Sequence, residues 1–294
     1  MSDPTIVHPK NENWIMMPKD SAEDHDLENQ SIPFRNYLFI TIDIVRDFVD
    51  DDPRSVFMRT YGGEEVEPLL QVPPRILECL KFCKHDESLV LTEPNNFNNN
   101  QTSSRKHRYN TQHVCCQSQY QYKQFKTNGL ENLCVSSHGQ ECVLPMEYFD
   151  YRVIKTKNSI LDDIIVFEEM SANSSTRNDD ENNNSSQIGS FSSDVQSPLE
   201  KFKTLLENFN KQQESSFVVI MGVTSNSCVK SSSLALAQLG YRVIIPLDCV
   251  ACRKSTQHSA NQFLLHETKR TNSRITTVNS WRDLFNPDLA LNFT

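Results

Sequence analysis

The sequence predicts an α/β domain: three α/β/α layers around a mostly parallel sheet of roughly six strands. Three observations predict it. Short apolar runs alternate with segments of helical periodicity along the chain. The first of these runs is continuously apolar rather than alternating, as expected of a strand covered on both faces. Proline and glycine fall where helices would start and stop.

The elements follow in order. Residues 1–34 are polar and carry Pro4, Pro9, Pro18 and Pro33. They read as an extended N-terminal arm, with Trp14, Ile15, Met16 and Met17 as a docking patch. Tyr37-Leu38-Phe39-Ile40-Thr41-Ile42-Asp43 is the first strand. A helix opens near Pro73-Pro74, proline being tolerated in a first turn, and Ile76, Leu77, Leu80 and Cys83 continue it at helical spacing. Ser88-Leu89-Val90-Leu91-Thr92 is the second strand. Residues 94–137 are mostly Asn, Gln, Ser and charged, which predicts an irregular or disordered insertion. Tyr151-Arg152-Val153-Ile154-Lys155 is the third strand, and residues 171–196 form a second low-complexity insertion.

Ser197-Pro198-Leu199-Glu200 reads as a capping box ahead of a helix whose apolar stripe is Leu199, Phe202, Leu206 and Phe209. Phe217-Val218-Val219-Ile220-Met221-Gly222 is the fourth strand. A helix over 226–239 ends at Gly240. Residues 241–247 give the fifth strand and 258–268 a helix. Arg274-Ile275-Thr276-Thr277-Val278 gives the sixth strand.

The chain has 294 residues, of which 37% are hydrophobic, and the deficit is concentrated in the polar stretches. Removing them leaves roughly 190 residues, the size of one core, so a single domain over 35–290 with two insertions is expected. The net charge of −9 argues against a nucleic-acid or anionic-membrane partner. The main basic cluster, Arg105, Lys106, His107 and Arg108, reads as a solvated loop. No run reaches the length of a membrane span, and the first residues lack a secretory pattern. A cytoplasmic protein is expected, its nine cysteines reduced.

Chemistry belongs at the carboxyl ends of the parallel strands. Asp43 ends the first strand and Lys155 the third, and Gly222-Val223-Thr224-Ser225-Asn226-Ser227-Cys228 links the fourth strand to its helix. A cysteine in a helix's first turn meets partial positive charge and free N–H groups, which favour a thiolate and can hold an oxyanion. A small residue packing that helix on the sheet has the same spacing. Asp43 suits a general base or a cap, and Lys155 a charge partner or a solvated loop lysine. Asp47 is the competing carboxylate, and Asp47-Phe48 reads as an anchor of the loop.

Together these segments resemble the isochorismatase-like cysteine hydrolase superfamily. The first match is Phe39-Ile40-Thr41-Ile42-Asp43-Ile44-Val45-Arg46-Asp47-Phe48. The second is Gly139-Gln140-Glu141 followed by Asp150-Tyr151-Arg152-Val153-Ile154-Lys155 and Asn158-Ser159. The third is Gly222-Val223-Thr224-Ser225-Asn226-Ser227-Cys228-Val229, with Ala235, Gly240-Tyr241 and Asp248 beyond it. The resemblance implies the hydrolase fold of that family, with Asp43 as base, Lys155 as charge partner and Cys228 as nucleophile. It also implies a cis peptide between Val223 and Thr224 that turns the Thr224 N–H toward an oxyanion, beside that of Cys228.

Many members have Gln where this chain has Val45. Nicotinamidases carry histidines that hold a metal, whereas Phe48 is followed here by Val49-Asp50-Asp51-Asp52-Pro53, with no histidine before His85. His113, Cys115, Cys116, Cys134 and His138 lack zinc-finger spacing, and Cys249 and Cys252 read as structural thiols. No metal and no cofactor are expected. The expected partner is a small-molecule substrate, with a homo-oligomer possible as in other family members. The expected activity is cleavage of a small amide or related C–N bond through a Cys228 thioester. The alternatives are an enol-ether hydrolase of the same fold and a non-catalytic scaffold.

Overall fold

The computed structural model describes residues 34–85, 109–170, 196–211, 215–286, 291 and 293. The arm over 1–33, the strand expected at 88–92, the basic cluster at 105–108 and the insertion at 171–195 lie outside the described residues. The described residues belong to one unit, Ile32–Thr294.

Strand β1, Arg35–Ile42, is the apolar run expected from the sequence. Three helices follow: α1 (Arg46–Val49), α2 (Val56–Tyr61) and α3 (Gly63–Leu70). Helix α4, Val72–His85, opens at the Pro73-Pro74 pair as expected. Next come β2 (Tyr109–Ser118), α5 (Ser137–Gln140), β3 (Tyr151–Lys155) and β4 (Ile164–Glu169). Helix α6 spans Pro198–Asn210, and the Ser197 hydroxyl accepts from the Glu200 N–H at 3.2 Å, so the serine half of the expected capping box is present. The chain continues through β5 (Ser216–Val223), α7 (Cys228–Gln238), β6 (Val243–Pro246), β7 (Val250–Ala251), α8 (Gln257–Lys269) and β8 (Ile275–Val278).

The eight-stranded sheet runs β4-β3-β2-β1-β5-β6-β8, with the two-residue β7 pairing against β5. All pairings are parallel except that of β3 with β4. The six strands expected from the sequence are thus corrected to eight. The segment expected to be an irregular insertion supplies β2, which lies in the middle of the sheet, hydrogen-bonded to β1 and β3. Its first half, Tyr109-Asn110-Thr111-Gln112-His113, is too polar to read as a central strand. Pairing on both sides satisfies its backbone, and that information is not local to the segment.

The three layers follow from alternation along β1. Tyr37 and Phe39 point into one apolar cluster with Ile76, Cys79 and Leu80 of α4. Leu38, Ile40 and Ile42 point into the other, with Phe202 and Leu206 of α6, Val229 and Leu236 of α7, and Phe263 of α8. Successive strand residues face opposite sides, so a run without polar interruption buries both faces at once.

Candidate active site

Register brings the expected site residues to one edge. Ile42 pairs with Cys116 on one side and with Gly222 on the other, so Asp43 leaves the sheet between β2 and β5. Its N–H donates to the Cys116 carbonyl at 2.8 Å, and its φ of 56° turns the chain sharply there. Aspartate tolerates this left-handed conformation better than most residues. Gly222 permits the close approach of β5. A Cβ there would lie 2.0 Å from the Ile42 carbonyl oxygen, and its φ is 122°.

Lys155 ends β3 and pairs in register with Ser118 at the end of β2. Asp43 and Lys155 are both 0% exposed, and their side chains form an ion pair at 2.9 Å. The Lys155 ammonium also donates to the Ser118 hydroxyl at 2.6 Å and to the Lys157 carbonyl at 3.0 Å. Burial by itself pushes the lysine pKa down. The negative charges of Asp43 and of ionised Cys228 more than reverse this, and the net direction is well above the ordinary value.

Cys228 opens α7. The Ser227 and Val229 N–H groups donate to the Thr224 carbonyl at 3.0 and 3.2 Å, and the Ser225 N–H donates to Ala251 of β7 at 2.8 Å. These bonds fix the connection between strand and helix. The Val223–Thr224 peptide is cis, as the resemblance implied. The sulfur lies 3.7 Å from the Tyr120 hydroxyl and 4.0 Å from Asn158 Oδ1.

The structure therefore gathers Asp43, Lys155, Cys228, Val223 and Thr224 at one place. One expectation is corrected. The helix start does not leave Cys228 as a ready thiolate, since its pKa is pushed up to about 11. Burial is the main cause, only partly offset by the Lys155 charge. At rest the site holds a thiol beside an ion pair.

Asp47 is not part of this gathering. Its carboxylate accepts from the N–H groups of Cys134 at 2.6 Å and Val56 at 3.1 Å, the anchoring role read from the sequence. Gly139 lies directly beneath it, where a Cβ would come 2.2 Å from Oδ2. Glu141, two residues on, pairs with Arg46 at 2.7 Å. Among the described residues, no group of three or more His, Cys, Asp or Glu side chains is arranged to hold a metal.

Sequence reasoning missed Ser118 and Tyr120. Both lie in the segment taken for an insertion, where Gln117-Ser118-Gln119-Tyr120 carries no hydropathy pattern that would place it on the sheet edge. A pocket of about 200 Å³ opens above the sulfur. Tyr120, Asn158, Thr224 and Cys228 are among its polar lining residues, and Phe48, Phe57, Tyr61 and Phe125 among its aromatic ones. Arg253 also lines it, its guanidinium stacked 3.7 Å from the Tyr61 ring centroid.

The family model of the Isochorismatase domain matches residues 195–279, which span α6, β5, the Cys228 loop and β8. No curated protein matches the chain. Solved structures similar to it include an isochorismatase-like hydrolase from Alkaliphilus metalliredigens, at 15% identity and TM-score 0.46, over 86% of this chain and 97% of that one. A pyrazinamidase of Pyrococcus horikoshii in complex with zinc matches at 17% identity and TM-score 0.47, over 82% and 98%. An N-carbamoylsarcosine amidase from Thermoplasma acidophilum matches at 10% identity and TM-score 0.45, over 88% and 99%.

Proposed function

We propose, with the isochorismatase-domain match over residues 195–279 as premise, that this chain is a cysteine hydrolase of a small amide or related C–N bond. The observation that carries the reading is the buried Asp43–Lys155 ion pair at 2.9 Å, joined to the Cys228 sulfur through Ser118 and Tyr120 beneath a pocket. At about 200 Å³ the pocket is smaller than those of drug-sized ligands, which suits a substrate of few heavy atoms.

In this reading Asp43 takes the thiol proton as the substrate carbonyl approaches. Oδ2 is engaged by Lys155, and Oδ1 has no hydrogen-bond partner among the described residues, so Oδ1 is the oxygen left to receive it. The sulfur adds to the carbonyl carbon, and the developing oxyanion is held by the N–H groups of Thr224 and Cys228. Collapse breaks the C–N bond, and the amine leaves with the proton from Asp43. Water then adds to the thioester and gives a proton to Asp43. Collapse of that adduct releases the acid, and the departing sulfur recovers the proton.

The test is a panel of small amides and ureides offered to the full chain, with amine or ammonia release measured. Turnover by the wild type and none by Cys228→Ala is expected. Full turnover by Cys228→Ala overturns the reading.

A further inference from the structure

We infer that Tyr120 is a catalytic residue of this site: its hydroxyl donates the hydrogen bond that holds the Cys228 sulfur as a thiolate, with Ser118 fixing it in that role. The inference rests on the cysteine-hydrolase reading above.

A lysine ammonium has three N–H donors and accepts nothing. Lys155 Nζ faces three acceptors, Asp43 Oδ2 at 2.9 Å, Ser118 Oγ at 2.6 Å and the Lys157 carbonyl at 3.0 Å. No N–H remains for the sulfur. Ser118 Oγ accepts from the ammonium, so its own proton must go elsewhere, and the Tyr120 hydroxyl oxygen is 2.9 Å away. With that oxygen accepting from serine, the tyrosine proton turns to its other neighbour, Cys228 Sγ at 3.7 Å. The reverse direction would leave the buried serine proton without an acceptor, since the ammonium and the Tyr120 hydroxyl are the neighbours of Ser118 Oγ among the described residues. The chain of hydrogen bonds therefore runs one way, from Lys155 through Ser118 and Tyr120 to the sulfur.

The surroundings hold this arrangement. Tyr120 is buried, its ring meets Phe125 edge-on at 4.8 Å, and Lys155 Nζ sits 5.8 Å from its ring centroid. Burial and the neighbouring Cys228 charge both raise the tyrosine pKa well above its ordinary value, so Tyr120 keeps the proton it donates. The titratable groups that interact with the sulfur are Asp43, Lys155, Tyr120, Cys116 and Cys134. Of these, Lys155 and Tyr120 favour the thiolate, and Asp43 opposes it. Once Asp43 takes the thiol proton, the Tyr120 bond becomes charge-assisted and strengthens.

The test reads the thiol directly and needs no substrate. Iodoacetamide alkylation of the full chain is followed against pH, with the label on Cys228 quantified by peptide mass mapping. Tyr120→Phe keeps the ring and removes only the donor. It is expected to move the Cys228 alkylation profile to higher pH and to slow labelling at neutral pH by about tenfold, the scale of a hydrogen bond to a charged group. Ser118→Ala is expected to shift the profile the same way by less, and Ser118→Thr, which keeps the hydroxyl, to restore it. Thermal melts check that each variant is folded. A Tyr120→Phe profile superimposable on the wild type overturns the inference. If that variant does not fold, an unshifted Ser118→Ala profile overturns it. A wild-type Cys228 that labels no faster than the other buried cysteines overturns the hydrolase reading itself, and the inference falls with it.

Discussion

Two buried aspartates stand four residues apart at the end of β1 and are handled in opposite ways. Asp43 faces a buried ammonium and keeps one carboxylate oxygen without a hydrogen-bond partner among the described residues. Asp47 has no ion-pair partner among the described residues, and backbone N–H groups bind both its oxygens. Burial is the main force on Asp47 and raises its pKa against the lowering effect of those amides. A carboxylate wrapped in amides ties loops together. One that shares a charge and keeps a free oxygen can exchange a proton. Residue type and burial are the same at both positions, so the difference lies in the partners.

Breaking the ion pair is the most severe way to probe this contrast. Lys155→Met leaves the Asp43 carboxylate buried beside an apolar side chain and should cost about 3–5 kcal/mol of stability in urea unfolding. The double variant Asp43→Asn with Lys155→Met removes both charges and should be more stable than Lys155→Met alone. A double variant no more stable than the single one would show that the pair's charges are not what links the two positions.

Asp47→Ala should cost about 2–3 kcal/mol, since it strips the Val56 and Cys134 N–H groups of their acceptor. Cys228 labelling should keep its pH profile in that variant. A shifted profile would mean that the two carboxylates act together.

His113 extends the contrast to a base. It is buried in β2, stacked on Phe39 at 5.0 Å, and neither ring nitrogen has a hydrogen-bond partner among the described residues. Burial, aided by the Lys84 charge, lowers its pKa from 6.5 to about 3. The unfolded chain therefore binds a proton below pH 6.5 that the folded chain refuses. The stability from a neutral His113 is complete above 6.5 and is lost as pH falls toward 3, at about 1.4 kcal/mol per pH unit. Between pH 6.5 and 5 this amounts to about 2 kcal/mol, and His113→Phe should flatten that part of the urea-unfolding profile.

Gly139→Ala reaches the same anchor from the other side. Its Cβ would overlap the amide-held Asp47 carboxylate, which must shift, and should cost about 1–3 kcal/mol without altering Cys228 labelling.

Legibility in the sequence followed the same division. Strands β1, β3, β5 and β8 were readable because each is a short run rich in apolar or β-branched residues. Strand β2 was not, because Asn110, Thr111 and Gln112 carry no strand pattern. The partners that make its later polar residues tolerable lie elsewhere in the chain: Gln117 reaches the Gln140 carbonyl and Arg152, and Ser118 reaches Lys155. Strand β4 was missed because it is a mostly solvated antiparallel edge. The three candidate residues, Asp43, Lys155 and Cys228, could be placed at two strand ends and a helix start from sequence alone. Their hydrogen bonds, and the two polar residues that join them, could not.

The sequence by itself determined the sheet of apolar runs, the four helices α4, α6, α7 and α8, and the positions of Asp43, Lys155 and Cys228 at carboxyl ends of strands and strand connections, because hydrophobic periodicity and turn chemistry are properties of neighbouring residues. Only the tertiary structure decided that β2 stands beside β1, that Ser118 and Tyr120 link ammonium to sulfur, and that Cys228 rests as a thiol. Those outcomes depend on desolvation and on which donor faces which acceptor across space, and both are set by strands distant in the chain.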